Sequence, residues 1–112
     1  MTRPAEFAAV RQRGIARSGR LMTVAFLADA GLPEMRFGFA ITKKVGNAVT
    51  RNRIRRRFRE ISRHHAAEIA PPGRLVTIAR PAAASAAFSV LRSEWRYLVK
   101  KLGLLTPPVS GP

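Results

Sequence analysis

Between residues 35 and 42 large apolar side chains alternate with polar or small ones: Phe37, Phe39 and Ile41 against Arg36, Gly38 and Ala40. A period of two predicts a strand with one packed face, and Gly38 with Ala40 leaves a shallow, accessible strip on the other. A few residues on, the period changes. Val49, Ile54, Phe58 and Ile61 recur at helical spacing and His65 continues the stripe. With Asn47 as N-cap, a long helix is predicted from there to about residue 70, where Pro71, Pro72 and Gly73 stop it. Upstream, residues 21–28 (LMTVAFLA) are apolar and partly β-branched and predict another strand, followed by turn chemistry at Asp29, Gly31 and Pro33. Before it, residues 4–14 predict a short helix with Phe7 and Val10 on one face, and an extra short strand has room near 15–18. Downstream, residues 75–79 (LVTIA) predict a strand. A last helix is predicted over about 84–102, with Phe88, Leu91, Trp95, Leu98 and Leu102 at 3,4-spacing.

The order helix, strand, strand, helix, strand, helix places the chain in the α+β class, as a two-layer sandwich of a small mixed β-sheet with helices. With 112 residues, one domain is expected over 1–103, and the segment 104–112 is expected to be a disordered tail.

Charge changes the picture of the long helix. The formal net charge is +15, from 21 Lys plus Arg against 6 Asp plus Glu. Much of it lies in KKVGNAVTRNRIRRRFRE, residues 43–60, where eight cations meet one acid, Glu60. Solvated helix faces normally mix signs; this one does not, and it is simultaneously tied to a core, so it reads as a structured polyanion-binding element. The preference for Arg over Lys suits bidentate phosphate contacts, although a GC-rich coding bias produces the same excess. Phe37, Phe39 and Trp95 keep register with aliphatic neighbours and read as core, whereas Phe7 is open between core and base stacking.

The inventory for catalysis by the protein itself is thin. Cysteine is absent, which excludes disulfides and thiolate chemistry. The six acids are scattered, without paired-carboxylate spacing. His64 and His65 are adjacent and point about 100° apart on a helix, so they form no metal pair. Neither a signal-peptide pattern nor a membrane-length apolar run is present, so a cytoplasmic location is expected.

The segment KKVGNAVTRNRIRRRFRE closely resembles the signature of the bacterial ribonuclease P protein subunit, in which a Lys pair, a Gly and an Arg-Asn-Arg run recur in this arrangement. EFAAV before Gly14, FGFAIT and LVTIARP extend the likeness over most of the chain. The resemblance implies an α+β fold with a left-handed βαβ crossover through the basic helix. It implies a protein that binds the catalytic RNA subunit of ribonuclease P and the 5′ leader of precursor tRNA, assisting an endonucleolytic cleavage whose catalyst is the RNA. Mg²⁺ is expected with that RNA and no cofactor on conventional protein ligands. A monomer, one copy per RNA subunit, is expected. Carried over by position, Lys43, Lys44, Arg51, Asn52, Arg53, Arg56 and Arg57 face the RNA subunit, and Phe7, Arg11, Lys43 and Arg80 face the leader. Many relatives have an aromatic where this chain has Arg11, and another on the early strand where residues 22–25 are small or aliphatic, so leader binding is expected to lean on phosphate contacts. The alternative reading is a ribosomal or other structural RNA-binding protein without a processing role; a protein-only nuclease is disfavoured by the missing carboxylate cluster.

Overall fold

The computed structural model describes residues 4–106. The chain runs α1 (Pro4–Arg13), β1 (Ile15–Ser18), β2 (Met22–Ala28), β3 (Arg36–Ala40), α2 (Ala48–His65), β4 (Gly73–Ala79) and α3 (Phe88–Lys101), with 3-10 turns at Ala66–Glu68 and Pro81–Ser85. The four strands form one mixed sheet in the order β1-β2-β4-β3. β2 pairs antiparallel with β1 and β4, while β3 and β4 run parallel and are joined through α2. The short first strand lies at the edge, with all four residues exposed.

Alternation along the strands sorts the side chains into two cores. Met22, Val24 and Phe26 of β2 and Leu75 of β4 turn to the side occupied by Ile54, Phe58 and Ile61 of α2 and Leu91, Trp95 and Leu98 of α3. Phe37 and Phe39 of β3 pack against the same cluster. Each fully buried aliphatic or aromatic side chain there contributes about 1.5–3 kcal/mol. The indole Nε1 of Trp95 donates to Thr77 Oγ1 at 2.9 Å, so the two buried polar atoms satisfy each other. On the other face α1 sets Val10 against Ala25 and Val76, with Phe7, Leu27 and Ile78 packed around them. α1 is held from below as well: Arg74 of β4 reaches Glu6 at 3.7 Å and Asp29 at 2.5 Å.

Several expectations are corrected by long-range packing. α2 ends at His65, not near residue 70, because Ile69 is extended and bridges Leu105, and Ala70 precedes a proline that disfavours helix. The last helix starts at Phe88, not near 84. Ala83 is buried in the core, and the carbonyls of Ala84 and Ala86 accept from Arg53 and Arg57, which holds residues 81–86 out of the helix. Val49 is 74 % exposed and lies off the apolar stripe of α2, which begins at Ile54. Phe88, placed in the core by its spacing, is 36 % exposed. Gly38 is buried and Ala40 half-buried, so the strip they form is narrower than expected. The expected tail is ordered at its start. Leu104 is buried, and Thr106 N–H donates to the Glu68 carbonyl at 2.7 Å. The rest of that segment, 107–112, lies outside the described residues. Among the described residues, no helix is long and apolar enough to cross a membrane.

Candidate nucleic-acid interface

α2 is built by three local devices. The Asn47 side chain accepts from Thr50 N–H at 2.9 Å and caps the first turn. Ile54, Phe58, Ile61 and His65 form the buried stripe. Around that stripe the helix carries seven arginines, at 51, 53, 55, 56, 57, 59 and 63, and one acid, Glu60. So many like charges on one helix repel each other, and packing of the stripe against the sheet offsets that cost.

The arginines are not equivalent. Arg51 folds back so that Nη1 donates to the Gly46 carbonyl at 3.0 Å, tying the helix to the Lys43–Gly46 turn. Asn52 is exposed and its Oδ1 accepts from Arg55 Nη1 at 3.2 Å, which orients that guanidinium. Arg53 and Arg57 lean the other way: Arg53 Nη2 donates to the Ala84 carbonyl at 2.9 Å and Arg57 Nη1 to the Ala86 carbonyl at 3.0 Å. One nitrogen of each fork is thus committed to the fold, and Arg53 Nε is buried without a partner. Arg56, Arg59 and Arg63 stand exposed. Lys43 and Lys44 are exposed in the turn before α2.

The sheet topology brings a second set together. Because β3 and β4 are parallel, with Ala40 opposite Ile78, the residues that follow them, Lys43 and Arg80, emerge at the same end of the sheet. Arg80 Nη1 donates to the Gly19 carbonyl at 3.3 Å, so this end also includes the β1–β2 turn. On the α1 face, Phe7 is half-buried at the margin of its cluster and Arg11, one helical turn on, is exposed. Half-buried Thr23, Ala40 and Ile78 floor the sheet on this face towards Lys43 and Arg80.

The acids, by contrast, are largely drawn into the fold. Asp29 and Glu6 hold Arg74, and the Arg74 hydrogen bond, followed by the Gly31 amide, keeps the Asp29 carboxyl below its ordinary value. Glu94 of α3 accepts from the Arg20 and Leu21 amides at 3.0 and 2.7 Å and clamps the β1–β2 turn. Glu68 takes the His65 Nδ1 hydrogen bond at 2.6 Å, the main cause of its lowered pKa. His65 Nε2 in turn accepts from Arg92 Nε at 3.1 Å, so Nδ1 carries the imidazole proton, and the ring stacks on Trp95. The apolar stripe accounts for the burial of His65 but carries no sign of Arg92, whereas the i, i+3 spacing to Glu68 is a local signal for that partner. His64 is exposed.

A cavity of about 620 Å³ opens between α2 and the β3 edge, with Met35, Phe37, Phe39 and Ile69 on its walls and Glu34, Arg59 and Arg63 as charged groups. Among the described residues, no three His, Cys, Asp or Glu side chains gather closely enough to hold a metal ion.

A mixed sheet with an arginine-covered helix laid over its parallel pair defines a nucleic-acid-binding protein of the α+β class. The family model described as Ribonuclease P matches residues 1–103, and the chain belongs to that family. It is 40% identical over 103 residues to the ribonuclease P protein component of Acidothermus cellulolyticus, covering 91% of this chain and 86% of the relative. Against the ribonuclease P protein component of Shouchella clausii it is 34% identical over 102 residues, with 91% and 84% covered. The solved RNase P protein of Staphylococcus aureus shares the fold with a TM-score of 0.87 at 24% identity, over 95% of this chain and 96% of that one.

Proposed function

We propose that this chain is the protein component of ribonuclease P, which binds the catalytic RNA subunit through α2 and the Lys43–Lys44 turn and takes the 5′ leader of precursor tRNA along the α1 face. Catalysis is assigned to the RNA, which supplies the Mg²⁺ centre for hydrolysis at the mature 5′ end. The observation that carries the reading is α2 itself, a helix with a buried apolar stripe, seven arginines and one acid, in a chain of this family.

Physically, the protein lowers the repulsion between two polyanions. Arg51, Arg56 and the free nitrogens of Arg53 and Arg57 replace counterions on the RNA subunit, whose release adds affinity that falls as salt rises. Asn52 and Arg55 hold each other in a fixed pose, which limits the side-chain entropy lost on docking. At the other surface Arg11, Lys43 and Arg80 meet leader phosphates while Phe7 offers the edge of a ring. Fixing the leader there positions the scissile bond, an orientational contribution of the kind that raises rates without chemical groups from the protein.

The test is cleavage of a precursor tRNA at low Mg²⁺ by a bacterial ribonuclease P RNA, with and without the protein, and with the protein alone. Stimulation that requires the RNA and fades in the Arg51→Ala, Arg56→Ala double variant is expected. RNA binding without stimulation overturns the reading in favour of a structural RNA-binding role, and cleavage by the protein alone overturns the assignment of catalysis to RNA.

A further inference from the structure

Phe88, the first residue of α3, is 36 % exposed in the middle of a cationic surface. Two shallow concavities meet at it. One, of about 420 Å³, is walled by Arg53, Arg56, Arg57 and Glu60 of α2 together with Phe88. The other, of about 320 Å³, lies between Phe88, Ser89, Arg92, Ser93 and Arg96 of α3. Phe88 therefore borders two arginine-lined hollows, one with three guanidiniums and the acid Glu60, the other with two guanidiniums and no acid.

This arrangement is held in place by main-chain bonds. Arg53 and Arg57 donate to the carbonyls of Ala84 and Ala86, four and two residues before Phe88, so the start of α3 is tied to the basic helix. Arg92 is tied through its Nε to His65 Nε2, stays exposed and lines the second hollow. Ala87 provides no side-chain cap, so the first-turn amides of α3 also lack a side-chain acceptor. A flat apolar ring flanked by phosphate-binding groups on both sides is the composition that holds an unpaired base: the ring takes the π-face and the guanidiniums take the phosphates before and after it.

We propose that Phe88 is a stacking platform for one unpaired base of the ribonuclease P RNA subunit, with the phosphates flanking that base held by the α2 arginines on one side and by Arg92 and Arg96 on the other. The proposal rests on the function given above and extends it to a site on α3. The RNA subunit is the source of the base because Phe88 lies on the α2–α3 side of the sheet, and the leader is placed on the α1 side.

The experiment measures the affinity of the full chain for ribonuclease P RNA across a salt series, for wild type and for Phe88→Ala, Phe88→Leu, Phe88→Tyr and Arg96→Ala. Phe88→Ala is expected to weaken binding about 5- to 100-fold, with the slope of log affinity on log salt unchanged, since a ring releases no counterion. Phe88→Tyr keeps the π-face and binds within about twofold of wild type, whereas Phe88→Leu keeps apolar bulk and binds like Phe88→Ala. Arg96→Ala flattens the salt slope by about 0.7–0.9, the increment for one phosphate contact. Phe88→Ala binding as tightly as wild type, or Phe88→Leu binding as tightly as Phe88→Tyr, overturns the platform and leaves the function standing. A wild-type chain that does not bind the RNA overturns the function, and the platform with it.

Discussion

Arg53 of α2 donates from Nη2 to the main-chain carbonyl of Ala84, 2.9 Å away, across the gap between the basic helix and the segment that leads into α3. The same side chain therefore serves the fold and the cationic surface, unlike Arg56, which is exposed. Arg53→Ala is expected to destabilise the protein by about 1.5–3 kcal/mol, the range for a hydrogen bond to a charged group. Arg56→Ala should leave stability within about 0.5 kcal/mol while still lowering RNA affinity. Urea unfolding of both variants, beside binding to ribonuclease P RNA, checks the contrast; equal stability of the two would remove the structural role of Arg53.

Glu94 closes the β1–β2 turn by accepting two amides at once, from Arg20 and Leu21. The packing is tight, since a Cβ on Gly19 would stand 2.6 Å from the Glu94 carboxyl carbon. Glu94→Ala leaves both donors without that acceptor and is expected to cost about 1–3 kcal/mol. Gly19→Ala should destabilise the wild type and do so less in the Glu94→Ala background, where the obstructing carboxylate is gone. A thermal-melting double-mutant cycle reads this coupling directly; additive effects would show that the two residues do not interfere.

Acid should act through Asp29 and Glu68. Both carboxyls are held below their ordinary values, Asp29 by Arg74 and Glu68 by His65. A lowered folded-state pKa means that the unfolded chain binds the proton first as pH falls. The stabilisation is therefore fully present above the unfolded carboxylate range near pH 4 and is lost as pH drops through the lower folded values. The expected outcome is a melting temperature that falls between about pH 5 and pH 3, with a shallower fall in Glu68→Gln. A variant whose acid slope matched the wild type would mean that the His65 bond contributes nothing to stability.

Leader recognition should reside partly in Arg11, exposed one turn after Phe7 on α1. Arg11→Ala is expected to weaken binding of precursor tRNA that carries a leader and to leave mature tRNA unaffected. The salt slope for precursor tRNA should also flatten by about 0.7, the value for one single-stranded phosphate contact. Equal losses on both RNAs would take Arg11 out of the leader surface.

Read by itself, the chain determines what is local. The alternation of Phe37, Phe39 and Ile41, the Asn47 cap, the buried run Ile54, Phe58, Ile61 and His65, and the near-absence of acids among the helix arginines all follow from side-chain type and spacing, because period and cap chemistry operate within a few residues. Trp95 in the core was legible on the same basis. Tertiary structure decided where the chain had to meet distant segments. Phe88 keeps helical spacing with Leu91 and Trp95, yet it is exposed, because Ala84 and Ala86 give their carbonyls to Arg53 and Arg57 and α3 begins only after them. Every residue carries the same carbonyl, so no side-chain pattern marks which ones will accept a guanidinium. Leu104 and Leu105 open a proline-rich segment that reads as a tail, but they join the core and Ile69, since a short apolar pair is ordered only by the surface it meets. The emergence of Lys43 and Arg80 at the same end of the sheet depends on β4 inserting between β2 and β3. That pairing is set by burial of both sheet faces at once, under α1 on one side and α2 with α3 on the other, and it has no signature within any single strand.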